Sequence, residues 1–298
     1  MNARDLLVID PCMTTAESDA YGLLSDIVDE LATHLPKFTI RRLKFCLPVR
    51  GARTLESLLA EGGTPGAVVS LGSYANLSDT HAWVPPLLAS LEDGLLARGV
   101  PFFGICFSHQ LLAHARGAGV RYVRDRFQRK IKWEGEREIH VSDPRLRLLL
   151  ARVELADLSA GTERARAFAE VVGLTRAWDV RQWRCVWNTP VGLLSRSESR
   201  VRAFVEEACS PSFLSWARHE QEVATIGGLE RGPLAFGPEQ DAFHVAATSP
   251  HCAIEALVHA RHPAYTFQSH PEVALASPHD GRLVLRNFLL VAHWRASV

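Results

Sequence analysis

Two segments of this chain carry side chains that could do chemistry together. Cys106 follows the apolar run Val100-Pro101-Phe102-Phe103-Gly104-Ile105 and precedes Phe107-Ser108-His109-Gln110-Leu111-Leu112. The first run reads as a strand and the second as the start of a helix, which puts the thiol on the turn between them. A helix N-terminus offers unpaired N–H groups and partial positive charge. Both favour thiolate, the nucleophilic form of cysteine. Far downstream, Tyr265-Thr266-Phe267-Gln268-Ser269-His270-Pro271-Glu272 supplies a histidine with a carboxylate two residues on. A nucleophile, a base and an acid that orients the base are the parts of a cysteine acyl-transfer site. The plain alternatives are a buried structural cysteine, one histidine among 13, and a surface carboxylate. The elbow and the His-x-Glu spacing together weigh against them.

The flanking sequence predicts the elements that must position these groups. Strands are expected at Leu6–Asp10, Phe38–Phe45, Ala67–Leu71 and Pro101–Cys106. Helices are expected at Ala20–Leu35, Leu55–Leu59 and Trp83–Arg98. Strands that are apolar throughout and alternate with helices signal a parallel sheet covered on both faces. Ligands of such sheets bind beyond the carboxyl ends of the strands, where Cys106 and the loop after Leu71 should both lie. Past the elbow helix the rhythm changes. Gly119–Val123, Lys130–Trp133 and Arg137–Val141 read as short antiparallel strands, and residues 144–207 read as helical. A final helix spans Gly281 to Trp294.

Composition narrows the function classes. The 298 residues are 47% hydrophobic, with 33 basic and 33 acidic side chains, so there is no net charge. No basic field is present to hold nucleic acid. No apolar run approaches the ~18 residues of a membrane helix, and the N-terminal segment lacks a secretory signal pattern. The six cysteines (Cys12, Cys46, Cys106, Cys185, Cys209, Cys252) include no CxxC pair and read as reduced thiols of a cytoplasmic protein. Asp79, His81 and Trp83 fit no metal-ligand spacing, so neither metal nor cofactor is expected. Trp178, Trp183 and Trp187 are spaced for a helix face and read as core.

At its two reactive segments the chain resembles the class I (triad-type) glutamine amidotransferases. That family's elbow reads Gly-x-Cys-x-Gly-x-Gln, and here it is Gly104-Ile105-Cys106-Phe107-Ser108-His109-Gln110, with Ser108 in place of the second glycine. The family's second motif, Gln-x-His-Pro-Glu, is matched in full by Gln268-Ser269-His270-Pro271-Glu272. The likeness continues around Trp216–Val223, Phe243–Ser249 and Ala253–Leu257, and covers about three quarters of the chain. It fades over 144–207, where the separation of Cys106 from His270 exceeds the family's by more than a bare loop accommodates.

The resemblance implies a set of roles. Cys106 would attack a side-chain amide, with His270 as base and Glu272 as orienter. The oxyanion would be held by the N–H of Phe107, next to the nucleophile, and by the loop after the third strand, at Gly72 or Ser73. Gln110 would line the substrate pocket, and His219 opens a segment like the family's His-x-Asp-x-Val, with Gln221 replacing the aspartate. Ser108 adds a side chain where substrate or strand approaches. The expected fold is α/β: a flavodoxin-like, mostly parallel central sheet flanked by helices, with a small antiparallel sheet, forming a single domain over 1–298. Residues 144–207 are expected to be a helical insertion that caps the substrate or docks a partner. The expected activity is glutamine hydrolysis through a γ-glutamyl thioester, with ammonia passed to a separate synthetase, because no phosphate-binding loop is recognisable. The alternatives are a free-standing hydrolase of γ-glutamyl amides or peptides and, from another class, a catalytically silent regulator.

Overall fold

Leu6, Leu7, Val8 and Ile9 are all fully buried, and strand alternation sends Leu6 and Val8 into one core and Leu7 and Ile9 into another. A strand apolar on both sides needs cover on both sides, and the fold provides it. The computed structural model of the chain describes residues 4–11, 19–44, 55–124, 127–175, 179–224, 235–238, 241–273 and 280–296. Up to the elbow the elements are β1 (Asp5–Asp10), α1 (Asp19–Ala32), β2 (Thr39–Lys44), α2 (Leu55–Gly62), β3 (Ala67–Ser70), α3 (Val84–Ala89), β4 (Phe102–Ile105) and α4 (Phe107–Ala115). The middle holds β5 (Gly119–Tyr122), β6 (Trp133–Val141), α5 (Pro144–Arg147), α6 (Leu155–Ala160), α7 (Glu163–Thr175), α8 (Val180–Asn188) and α9 (Arg196–Ala208). The chain closes with β7 (Ser212–His219), β8 (Gln221–Ala224), β9 (Ala235–Phe236), β10 (Phe243–Thr248), β11 (Ala256–His259), β12 (Ala264–Phe267) and α10 (Gly281–Ala296).

Ten strands form one sheet in the order β2-β1-β3-β4-β12-β11-β10-β6-β7, with β9 also on β10. The five strands from β2 to β12 pair in parallel, and the remainder pair antiparallel. Numbered among themselves, the parallel five run 2-1-3-4-5, the flavodoxin-like doubly wound order. Leucines of α1 and the α10 residues Leu285 and Phe288 pack on one face, while α2, α3 and α4 contribute Leu59, Leu87 and Leu112 to the other. A separate antiparallel pair joins β5 to β8. Among the described residues, no helix is long and apolar enough to cross a membrane.

One sequence expectation changes. Lys130–Trp133 and Arg137–Val141 are not two strands, since Trp133–Val141 is one nine-residue strand. Its Glu134, Glu136, Glu138 and His140 are exposed alternate positions, and they made one edge-bound strand look interrupted. The helical stretch leaves β6 and returns at β7, and Leu149, Phe168 and Val201 join the same core as Leu285 and Phe288. The Arg145 guanidinium donates to the carbonyl of His259 at 2.8 Å, which ties α5 to the end of β11. Trp183 is buried and stacks near Trp187, with ring centroids 5.7 Å apart; Trp178, Cys12 and Cys46 lie outside the described residues.

One buried side chain ties the helical stretch to the sheet layer. The Asn287 amide, on α10, donates to the carbonyls of Leu149 at 3.0 Å and Ala151 at 2.7 Å. Asn287→Ala removes both of these bonds, leaving the Ala151 carbonyl only its bond from the Val153 N–H at 3.1 Å, and should cost about 2 kcal/mol or more in unfolding free energy. Denaturant titration checks this, and a loss below about 0.5 kcal/mol would contradict it.

Candidate active site

The site grows from the carboxyl ends of three adjacent parallel strands, β3, β4 and β12. At the end of β4 the backbone of Cys106 takes φ 47° and ψ −98°, a positive-φ conformation that side chains other than glycine rarely adopt. Its N–H donates to the Phe267 carbonyl at 2.7 Å, and its own carbonyl accepts from Gln110 at 3.0 Å. One bond belongs to the sheet and the other to α4, so the residue is pinned at the strand-to-helix corner. The side chain is 5% exposed at the N-cap of the helix.

Gly72, two residues past β3, stands against both reacting partners. A Cβ added there would lie 3.3 Å from Cys106 Cβ and 3.1 Å from His270 Cε1. This position needs a residue without a side chain because the Cys106 and His270 side chains close around it. His270 donates from Nδ1 to Glu272 at 2.7 Å and from Nε2 to the Arg218 carbonyl at 3.1 Å. Its own N–H reaches the Trp216 carbonyl at 2.6 Å, so β7 holds both its backbone and its ring. The Gln268 amide donates to Cys106 Sγ at 3.8 Å. Burial pulls the His270 pKa down, but the Glu272 carboxylate and Cys106 overcome it and hold the imidazole well above its usual value.

The sequence-derived residues thus gather at one edge, with unequal exposure to it. Among the described residues, the N–H groups of Phe107 and Gly72 have no acceptor. Ser73 turns its hydroxyl to the Pro11 carbonyl at 2.9 Å, tying the loop after β3 to the end of β1. Gln110 is buried, and its amide donates to the Gln221 carbonyl at 2.6 Å and to Gln268 at 3.2 Å. That amide braces α4 against β8 and the end of β12. His219 is buried with Nδ1 unpartnered. Burial, then Arg137 and the neighbouring histidines, push its pKa to about 3. Gln221 faces the loop after β3, accepting from the Leu77 N–H at 3.0 Å and donating to Ser78 at 3.2 Å. Ser108 points into the interior towards β3 and not towards the cleft.

Sequence reasoning missed the carbonyls of Trp216 and Arg218, because main-chain acceptors leave no mark on side-chain identity. It also missed the buried Arg137–Glu255 ion pair beside His219, which joins β6 to the start of β11. Among the described residues, no group of three or more His, Cys, Asp or Glu side chains could hold a metal ion.

Residues 88–175 match the family described as glutamine amidotransferase class-I. Over that segment the chain is similar to the class-I glutamine amidotransferases. The match takes in Cys106, Phe107 and Gln110, and stops short of His270 and Glu272. A putative GMP synthase subunit from Thermoplasma acidophilum is 17% identical, aligns over 97% of this chain and 93% of its own, and gives a TM-score of 0.51. A glutamine amidotransferase from Thermotoga maritima is 18% identical over 92% of this chain and 78% of its own, with a TM-score of 0.49. The CTPS glutaminase domain from Trypanosoma brucei, solved with bound acivicin, is 13% identical over 97% and 93%, also at 0.49. No curated protein matches the chain in sequence. At such identities the Thermoplasma likeness shows the amidotransferase fold, and the chemistry has to be argued from the site.

The strained corner and the charged imidazole each have a measurable consequence. A positive-φ side chain costs on the order of 1 kcal/mol that glycine does not. Cys106→Gly should therefore be more stable than Cys106→Ala by about 1 kcal/mol in chemical denaturation; equal stabilities would mean the corner is unstrained. The His270 pKa is raised in the folded state, so its stabilisation is complete below about 6.5 and is lost as pH rises through the higher folded value. Proton NMR of the ring should show His270 still charged at neutral pH in the wild type, and titrating lower in Glu272→Gln.

Proposed function

We propose that this chain is a cysteine-dependent glutaminase that releases ammonia from the side-chain amide of glutamine. The observation that carries the reading is Cys106 on a strained helix N-cap, closed against Gly72 together with a histidine already paired to a carboxylate. The family match over the elbow supports glutamine as substrate. Cys106 Sγ attacks the amide carbon, and the carbonyl oxygen becomes an oxyanion between the N–H groups of Phe107 and Gly72. The carbon–nitrogen bond then breaks, with the His270 proton passing to the departing ammonia. A γ-glutamyl thioester remains on Cys106. Water gives a proton to His270 and its oxygen to the thioester carbon, the carbon–sulfur bond breaks, and glutamate leaves. Glu272 keeps the ring oriented and stabilises its charge throughout.

The ammonia is passed to a separate synthetase or aminating enzyme. The Thermoplasma protein is itself named as one subunit of a synthase, which accords with a division of labour between chains. The test is a panel of free glutamine, γ-glutamyl amides and γ-glutamyl peptides, scored for ammonia, amine and glutamate. Equimolar ammonia and glutamate from glutamine is the expected result. Turnover confined to γ-glutamyl peptides would make the chain a γ-glutamyl hydrolase, and no turnover of any member would overturn the reading. His270→Ala should be nearly as damaging as Cys106→Ala, with Glu272→Gln retaining more activity. The His270→Ala/Glu272→Gln double variant should lose little beyond the worse single one, as for residues acting as a unit. Multiplicative losses would contradict a triad.

A further inference from the structure

Ser108 occupies the elbow position where the amidotransferase motif has glycine, and its side chain is fully buried. Its hydroxyl lies 2.7 Å from that of Ser70, the last residue of β3, and donates to the Leu71 carbonyl at 3.2 Å. A hydroxyl has one proton, so Ser108 gives its own to Leu71 and receives that of Ser70. The relay runs from Ser70 through Ser108 to one carbonyl, in a place where an unpaired hydroxyl would be costly. Two serines at this depth are thus mutually required: each satisfies what the other leaves open.

That carbonyl belongs to the Leu71–Gly72 peptide. The peptide is planar and trans, so the Gly72 N–H points opposite to the Leu71 carbonyl. With the carbonyl held inside by Ser108, the N–H is directed to the other side, where Cys106 Cβ and His270 Cε1 crowd Gly72. The preceding peptide, Ser70–Leu71, is also held, because the Leu71 N–H donates to the Ile9 carbonyl at 2.9 Å. We propose that Ser108 is a positioning residue, which fixes the Leu71–Gly72 peptide plane and so aims the Gly72 N–H at the oxyanion formed on Cys106 attack. The proposal rests on Cys106 being an acyl-transfer nucleophile. It gives the serine a task that a glycine at 108 cannot perform, and it assigns Ser70 as the serine's support.

The test compares Ser108→Ala, Ser108→Gly and Ser70→Ala with the wild type in three assays. These are steady-state glutamine hydrolysis, the acylation burst with p-nitrophenyl acetate, and alkylation by iodoacetamide read at the Cys106 peptide, because Cys185 is exposed and would be labelled too. Both Ser108 variants should lower kcat and the ester burst about tenfold or more, since a displaced oxyanion donor is costly in the transition state. KM should stay within about threefold. Iodoacetamide reacts without forming an oxyanion, so its rate at Cys106 should be unchanged. Ser70→Ala should slow acylation less than either Ser108 variant, because Ser108 still reaches Leu71. Ser108→Gly only removes atoms and restores the motif residue, which guards against misfolding of the alanine variant.

Wild-type acylation rates in the Ser108 variants would overturn the proposal. Loss of iodoacetamide reactivity in step with turnover would do so too, by showing a general disturbance of the thiol. A wild type that turns over no γ-glutamyl compound, yet shows a Cys106-dependent ester burst, would remove the glutaminase reading alone. The Ser108 comparison would then be decided on the ester.

Discussion

The backbone of Cys106 is the constraint on which the rest of the site depends. A non-glycine residue at φ 47° and ψ −98° costs roughly 1–3 kcal/mol and persists only where its surroundings over-determine it. Here they do so from both directions. Upstream, β4 is paired in parallel on each side, with β3 and with β12. Downstream, α4 begins at the very next residue and is buried along its first two turns. A chain leaving a parallel strand and entering a helix at once has no slack to relax the corner. The strain therefore keeps the thiol at the sheet edge with the helix N–H groups directly behind it.

Proton placement in the site follows from the same enclosure. Three histidines share this region, and burial alone would keep all of them neutral. His109 and His219 obey it, each with a pKa pushed down to about 3. His270 differs because it alone has a carboxylate at 2.7 Å and Cys106 beside it. Among these three the positive charge is thereby confined to His270, the residue that exchanges a proton with substrate in the proposed reaction. The two signs also oppose each other in acid: His109 and His219 favour folding above about 6.5 and oppose it as pH falls towards 3, whereas His270 favours it at low pH. His259, lowered to about 4, and Asp143 and Asp241, held below the usual carboxylate range by Arg145 and by His259 and Arg116, add to the acid lability of the neutral pair, whereas His270 does not.

Much of this was legible in the sequence, for identifiable reasons. β1, β3 and β4 are buried on both faces, so their composition is apolar without interruption, and parallel order followed from the alternating helices. Cys106, His270 and Glu272 stood out because reactive side chains at fixed spacing carry their own signal. The register of β6 against β7 was not legible, because those strands pair across the whole of α5 to α9 and local periodicity does not name a distant partner. The docking of α7 on α10, with α9 packed against α7, was hidden for the same reason, since an apolar helix face reads alike whichever surface it covers. Gln110 looked like a pocket residue by its place in the motif, yet its amide is committed to Gln221 and Gln268. Ser108 looked like an intrusion until Ser70 appeared beside it.

In the proposed reaction, strain, proton placement and the aimed N–H groups all serve acyl transfer to one thiol at the β4–α4 corner. The most direct test of that transfer is to mix the protein with glutamine, quench in acid during turnover, and locate any γ-glutamyl adduct by peptide mass spectrometry. The expected result is a hydroxylamine-sensitive thioester on the Cys106 peptide and on no other cysteine, absent in Cys106→Ala. Glutamate release that continues in Cys106→Ala, or an adduct on Cys185, Cys209 or Cys252 instead, would contradict it.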